Sequence, residues 1–221
     1  MILEACVSSK QGLTLASKLK IPRIELCQNL QLDGLTPSSE LQKIAKNTFR
    51  GENFVMIRPH ANGFHYNKKD VLKMIKSIHL AKKNNAKGVV FGALKNNSID
   101  FEVNEEILKI SKNLGLLCTF HKAIDICFDI EKSTMQLSDM GFDWLLSSGG
   151  KKNAEQGIEN LKSMVNLKNR KIKILAGGGI SSENCKKFSS IGVEGIHFSI
   201  DKKVDLKFNK FQKIMNKLKD I

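Results

Sequence analysis

Cys6 and Cys27 each fall at the end of a short apolar run, and their thiols are the side chains here best suited to a soft metal ion. Cu(I) takes thiolate and thioether ligands at low coordination number. Met56, in a third run, could add a thioether, and His121 or His197 an imidazole. No CxxC spacing joins the two cysteines, and a cysteine is also an ordinary small core residue. The same positions carry a second chemistry. Glu4, Arg23, Glu25, Arg58, His121, Asp125 and His197 are more ionisable groups than a purely structural core needs. Carboxylates held near arginines and a histidine are the parts of general acid–base catalysis, with Glu25 and His121 as the catalytic candidates. Arg58 would then hold an anion, and a satisfied network of buried ion pairs is the structural alternative. A third signal is Gly177-Gly178-Gly179 followed by Ile180-Ser181-Ser182. Glycines bring backbone close to a ligand without a Cβ in the way. A helix capped by Ser181 or Ser182 would add free N–H groups that favour an anion. Ser147-Ser148-Gly149-Gly150 could supplement it. The anion-binding candidates are thus Arg58, Ser148, Gly149, Gly178 and Gly179, and the metal candidates are Cys6 and Cys27.

Eight apolar runs must position these groups: Ile2–Cys6, Arg23–Cys27, Phe54–Arg58, Gly88–Phe91, Leu116–His121, Trp144–Ser147, Ile172–Ala176 and Gly195–His197. Each gives way to a helix-like segment, which predicts a TIM (β/α)8 barrel of α/β class whose functional face lies where the strands end. No linker or low-complexity segment interrupts the alternation, so residues 1–221 read as a single domain. Period-two alternation puts Glu4 with Cys6, Arg23 with Glu25 and Cys27, Met56 with Arg58, and Thr119 with His121 on shared faces. Unpaired buried charge is heavily penalised, so these groups are expected in the barrel lumen, with Glu4 or Glu25 paired to Arg23 or Arg58. Asn67 and Asp70 predict a capping box, opening a helix whose Val71, Leu72, Ile75 and Ile78 form one apolar face. Thr36-Pro37 predicts an N-cap followed by proline at the first helical position. Phe208, Phe211, Met215 and Leu218 predict a closing amphipathic helix.

The formal charge of +14 raises nucleic acid as a partner, but arginine occurs only at Arg23, Arg50, Arg58 and Arg170. Base and phosphate clamps lean on arginine's planar fork. Lysines spread along every helix beside asparagines read instead as a solvated surface, so no specific nucleic acid is expected. No apolar stretch approaches the ~18 residues of a membrane span, and no basic segment followed by an apolar one opens the chain. Five cysteines, odd in number and scattered, argue for reduced thiols and a cytoplasmic location rather than a disulfide framework.

Taken in order, several motifs resemble the CutC family. They are Arg23-Ile24-Glu25-Leu26-Cys27, Gly34-Leu35-Thr36-Pro37-Ser38, Met56-Ile57-Arg58-Pro59, Gly88-Val89-Val90-Phe91-Gly92-Ala93-Leu94 and Thr119-Phe120-His121. Ser148-Gly149, Ala176-Gly177-Gly178-Gly179 and His197 add to the match. The resemblance implies a TIM barrel and copper homeostasis, with Cu(I) bound by Cys6 and Cys27. Three positions depart from the family pattern. Asp33-Gly34 stands for paired glycines, Lys122 for an arginine in the His121–Asp125 segment, and His60 for an arginine after Pro59. A lysine grips an anion as a point charge, without the bidentate fork. The expected partner is a copper ion or a small anionic ligand, with a homo-oligomer left open. The alternative function is a barrel enzyme acting on a small phosphorylated or carboxylated metabolite.

Overall fold

The computed structural model describes residues 1–200. The closing stripe of Phe208, Phe211, Met215 and Leu218 lies outside the described residues. Eight parallel strands close into a barrel in the order β1-β10-β9-β8-β7-β4-β3-β2. They are β1 (Ile2–Val7), β2 (Arg23–Leu26), β3 (Glu52–Met56), β4 (Gly88–Phe91), β7 (Leu117–Phe120), β8 (Trp144–Ser147), β9 (Lys173–Gly177) and β10 (Gly195–Ser199). A two-stranded hairpin, β5 (Leu94–Lys95) with β6 (Ser98–Ile99), follows β4. Its tip residues, Asn96 and Asn97, both take the left-handed backbone. This is the turn chemistry that suits the twist of paired strands. The sequence reading contains no hairpin here, because two-residue strands carry no periodicity.

Helices α1 (Lys10–Lys18), α2 (Ser39–Thr48), α3 (Lys68–Lys83), α4 (Phe101–Asn113), α5 (Ile130–Met140), α6 (Ile158–Asn166) and α7 (Cys185–Ser190) cover the outside of the strands. Local chemistry starts most of them. Ser9, Ser38, Asp100 and Asp129 each accept a backbone N–H of the first turn, as an N-cap should. Asn67 and Asp70 form the predicted capping box on α3. Two details differ from expectation. The cap of α2 is Ser38, and the Thr36 hydroxyl instead accepts the Arg58 N–H at 2.8 Å. On α3 the inward face is Val71, Met74 and Ile78, while Leu72 is exposed. Leu72 neighbours Val71 in sequence but sits a third of a turn away.

Two apolar cores result. The larger lies between strands and helices, where Val7, Ile24, Val55, Val89, Phe120 and Leu145 meet the helices' inward faces. The smaller fills the lumen, with Phe54, Met56, Val90, Trp144, Leu146 and Leu175. Glycine sets its shape. A Cβ on Gly88 would stand 2.4 Å from the Phe54 ring, and one on Gly92 would stand 2.8 Å from His121 Nδ1. Strand β4 thus leaves room for large side chains from β3 and β7.

Charged residues occupy the same lumen, as the period-two reading requires. The Arg23 Nε lies 2.6 Å from Glu4 Oε2, with both side chains about 1% exposed. The guanidinium sits over Phe54 at 4.5 Å and over Trp144 at 4.2 Å. Glu4 therefore neutralises a cation that the aromatic faces alone would not hold in a dry interior. Removing one partner leaves the other charge buried. Glu4→Gln is expected to cost about 3–5 kcal/mol, and Glu4→Leu with Arg23→Met together much less than the two single changes summed. Urea unfolding measures both, and a loss below about 1 kcal/mol for Glu4→Gln would show that the pair does not hold the lumen.

Candidate functional site

At the C-terminal end of the strands the lumen opens into a cavity of about 970 Å³. Cys6, Glu25, Met56, Arg58, His121, Ser148, Gly178 and Gly179 all line it. Glu25, Arg58 and His121, three strand-end residues far apart in sequence, thus converge on one space. Cys27 lies fully buried beside Cys6, and Gly149 is not part of the lining.

The thiols form the floor. Strand pairing aligns Glu4 with Arg23 and Cys6 with Glu25, which brings Cys27 diagonally to Cys6. The Cys6 and Cys27 sulfurs are 3.4 Å apart, and Cys6 Sγ also donates towards Glu25 Oε1 at 3.7 Å. Met56 reaches the same corner. A Cβ on Gly34 would meet Cys27 Sγ and Met56 Cε at 3.6 Å each. Shared hydrogen bonding with Cys27, then burial, then the Glu25 charge hold the Cys6 thiol well above its ordinary pKa. Cys6, Glu25 and Cys27 together offer three ligand atoms within 4.8 Å of one another.

Beside the thiols runs a chain of ionisable groups. His197 Nδ1 lies 2.7 Å from Glu4 Oε1, on the side of the carboxylate away from Arg23. Burial alone would raise the Glu4 pKa, but the Arg23 guanidinium and then His197 outweigh it and hold it low. Burial would likewise lower His197, but the Glu25 charge and the Glu4 hydrogen bond raise it. Glu25 has no guanidinium against it. Burial, with the Glu4 charge adding, pushes its pKa to about 7 against the lowering effects of His197, Cys6 and Arg23. Of the four pairings open to Glu4, Glu25, Arg23 and Arg58, only Glu4–Arg23 forms an ion pair among the described residues. Arg58 instead donates from Nη1 to the carbonyls of Leu32 at 2.7 Å and Gly34 at 3.1 Å, with its guanidinium over Phe64. It pins the loop between β2 and α2 to the end of β3.

His121 closes β7. Its Nδ1 accepts the Ala123 N–H at 3.3 Å, and its ring packs on Phe64 at 4.9 Å and Phe120 at 5.8 Å. Burial first, and the Arg58 charge second, push its pKa down to about 3. At neutral pH the ring is uncharged, with Nδ1 as acceptor and the proton on Nε2.

The glycine loops differ from one another. Asp125 occupies the donors of the loop after β8: Ser147 Oγ at 2.6 Å, Ser148 N at 3.0 Å, Ser148 Oγ at 2.8 Å and Gly150 N at 2.9 Å. The Gly149 N–H goes to Ser147 Oγ at 2.8 Å. Ser148 and Gly149 thus meet a carboxylate and a hydroxyl of the protein itself. After β9, α7 begins only at Cys185, and Ser181 and Ser182 lie in the turn before it, so neither is the cap expected of them. The Ser181 hydroxyl accepts the Glu183 N–H within that turn. One contributor escaped the sequence reading altogether, Phe64, in a loop without period, whereas Lys122, singled out there as a point-charge substitute for arginine, does line the cavity. The neighbour relation between Asp125 and the Ser-Ser-Gly-Gly loop was also hidden, although a lone aspartate and a donor-rich loop are a signal of such capping.

These features define a TIM-barrel protein with a thiol-floored cavity at the strand C-termini. The chain belongs to the CutC family, whose pattern matches residues 1–202. A CutC-family protein of Aliivibrio fischeri is 38% identical over 199 residues, covering 89% of this chain and 81% of that protein. The crystal structure of CutC from Streptococcus agalactiae, described as a candidate copper homeostasis protein, superposes with a TM-score of 0.83 at 32% identity. It covers 90% of this chain and 98% of its own. The fold alone extends further, as 3-hexulose-6-phosphate synthase from Salmonella typhimurium matches at TM-score 0.69 and 18% identity over 100% of this chain and 99% of that one. Among the described residues no helix is long and apolar enough to cross a membrane.

The two perturbed groups act on stability in opposite senses. His121 takes its proton near pH 6.5 when unfolded and only near 3 when folded. Its contribution is whole above about pH 6.5 and is lost as pH falls towards 3. Glu25 titrates near 4.5 unfolded and about 7 folded, so its contribution is whole below about 4.5 and is lost as pH rises through 7. Against wild type, His121→Gln should therefore flatten the fall in stability on the acid side, and Glu25→Gln the fall on the neutral side. Urea unfolding between about pH 4 and 8 reads the difference, and three parallel curves would contradict both assignments.

Proposed function

We propose that this protein binds Cu(I) through Cys6 and Cys27 and serves copper homeostasis in the reducing cytoplasm. The observation that carries the reading is the 3.4 Å approach of two reduced thiols from neighbouring strands, one of them lining an open cavity. The donor set fits the ion. Two sulfurs with the Met56 thioether close by are the soft ligands that Cu(I) prefers, and Cys6 and Cys27 are both free thiols. Glu4, Glu25 and His197 form a harder donor group beside the thiols, but there Glu4 is already committed to Arg23 and His197. The thiol protons must leave when metal enters, because thiolate is the ligand. Glu25, within reach of Cys6 Sγ and titrating about 7, is the adjacent acceptor for one of them.

The second reading, acid–base catalysis by Glu25 and His121 on a small anionic metabolite, is favoured by their convergence on one cavity with pKa values driven far apart. The copper reading ranks first because both of its ligands are already in contact.

Competition titration of the reduced protein with a Cu(I) chelator tests the proposal. One ion per chain is expected, with affinity rising between pH 6 and 8 as protons are released. Cys6→Ser with Cys27→Ser should weaken binding well beyond the roughly 10–100-fold that neighbouring hydrogen-bond partners contribute. Equal affinity in wild type and the double variant would refute it.

A further inference from the structure

The upper part of the cavity contains donors that neither the thiols nor the ion-pair chain uses. His121 is the first. Its Nδ1 is held as an acceptor by the Ala123 N–H, so the neutral ring presents Nε2–H. That donor lies on a residue only 4% exposed that lines the cavity, and it meets no acceptor. A buried donor without a partner costs free energy unless something that enters the cavity accepts from it.

Gly178 and Gly179 are the second feature. Both line the cavity with left-handed backbone, at φ +99° and +84°, and no acceptor among the described residues takes either N–H. Successive free backbone N–H groups form a concavity for anions. The Lys122 ammonium is directed to the same place, because a Cβ on Gly178 would stand 3.5 Å from Lys122 Nζ. Its nearest carboxylate, Asp125 at 3.9 Å, already accepts from Ser147, Ser148 and Gly150. Lys151 and Lys152 line the mouth as well, so its cations outnumber the carboxylates of Asp33 and Asp125.

We propose that the barrel mouth binds a small phosphorylated metabolite. Its phosphate rests on the Gly178 and Gly179 N–H groups and the Lys122 ammonium, and a carbonyl or hydroxyl oxygen of the same molecule accepts from His121 Nε2. Phosphate suits this cradle better than carboxylate, since its three terminal oxygens can take two backbone N–H groups and an ammonium at once. The site stands above the thiols and shares no ligand atom with them, so it holds whether or not copper binds below. It also shifts the anion contact away from Arg58, Ser148 and Gly149, since Arg58 Nη1 and the Ser148 and Gly149 N–H groups already have protein partners.

Calorimetry and thermal melting of the full chain under reductant test this, with inorganic phosphate, glycerol 3-phosphate, glycerate and chloride at matched ionic strength. Inorganic phosphate and glycerol 3-phosphate should raise the melting temperature saturably, and glycerol 3-phosphate should bind tighter. Lys122→Ala, at a side chain 43% exposed and safe for folding, should weaken both by roughly tenfold. His121→Phe should remove the preference for glycerol 3-phosphate while leaving inorganic phosphate bound. Cu(I) affinity should be unchanged in Lys122→Ala, which separates this site from the thiol site. The proposal is overturned if phosphate shifts melting no more than chloride does, if glycerate binds as tightly as glycerol 3-phosphate, or if Lys122→Ala binds every probe like wild type.

Discussion

A guanidinium in the middle of a dry barrel is the constraint on which the rest depends. Arg23 is 1% exposed, and it is tolerable there only because Glu4 meets it from the neighbouring strand and two aromatic faces cover it. The pairing aligns Glu4 with Arg23, and two residues further on the same alignment sets Cys6 against Glu25. A slip of one residue would turn all of these groups towards the helices and leave charges in the outer core. The ion pair therefore fixes the strand register that brings the two thiols together. Glu4 then reaches its second partner, His197, and so ties the first strand to the last where the barrel closes.

Above that layer the lumen changes character with height. The ionic and aromatic layer is buried, the thiols come next, and Lys122, Lys151 and Lys152 line the mouth. Burial outweighs the nearby His197 and pushes Glu25 up, while burial and the Arg58 charge act together to push His121 down. Two groups with ordinary values of 4.5 and 6.5 thus exchange order within one cavity. That inversion supplies a neutral imidazole donor and a carboxyl ready to take a proton near neutral pH. Neither state needs a moving part, because both follow from burial and from the fixed charges around each group.

The fold was legible because strand periodicity and hydrophobicity repeat eight times, and the strands lie within a residue or two of the apolar runs. Capping chemistry was legible where side chain and backbone are three residues apart, as at Asn67 and Asp70. Three things were not. Thr36 looks like a cap in sequence, but the Arg58 N–H claims its hydroxyl from twenty-two residues away. Arg58 looks like an anion holder, but carbonyls of a neighbouring loop take its Nη1. Ser148 and Gly149 look like an open anion loop, but Asp125 supplies the anion from within the chain and a serine hydroxyl takes the rest. At Thr36, at Arg58 Nη1 and at the Ser148 N–H the partner comes through a tertiary contact that local spacing does not encode. The lumen charges were predicted correctly for the converse reason, since alternation leaves them no other place to go.

The central claim is that the register set by Arg23 and Glu4 makes a two-sulfur site of Cys6 and Cys27. X-ray absorption at the copper K-edge, on reduced protein loaded with one equivalent of Cu(I), tests it most directly. The account predicts a first coordination sphere dominated by sulfur that is lost in the Cys6→Ser, Cys27→Ser variant. A sphere of nitrogen and oxygen alone, or one unchanged by that variant, would contradict it.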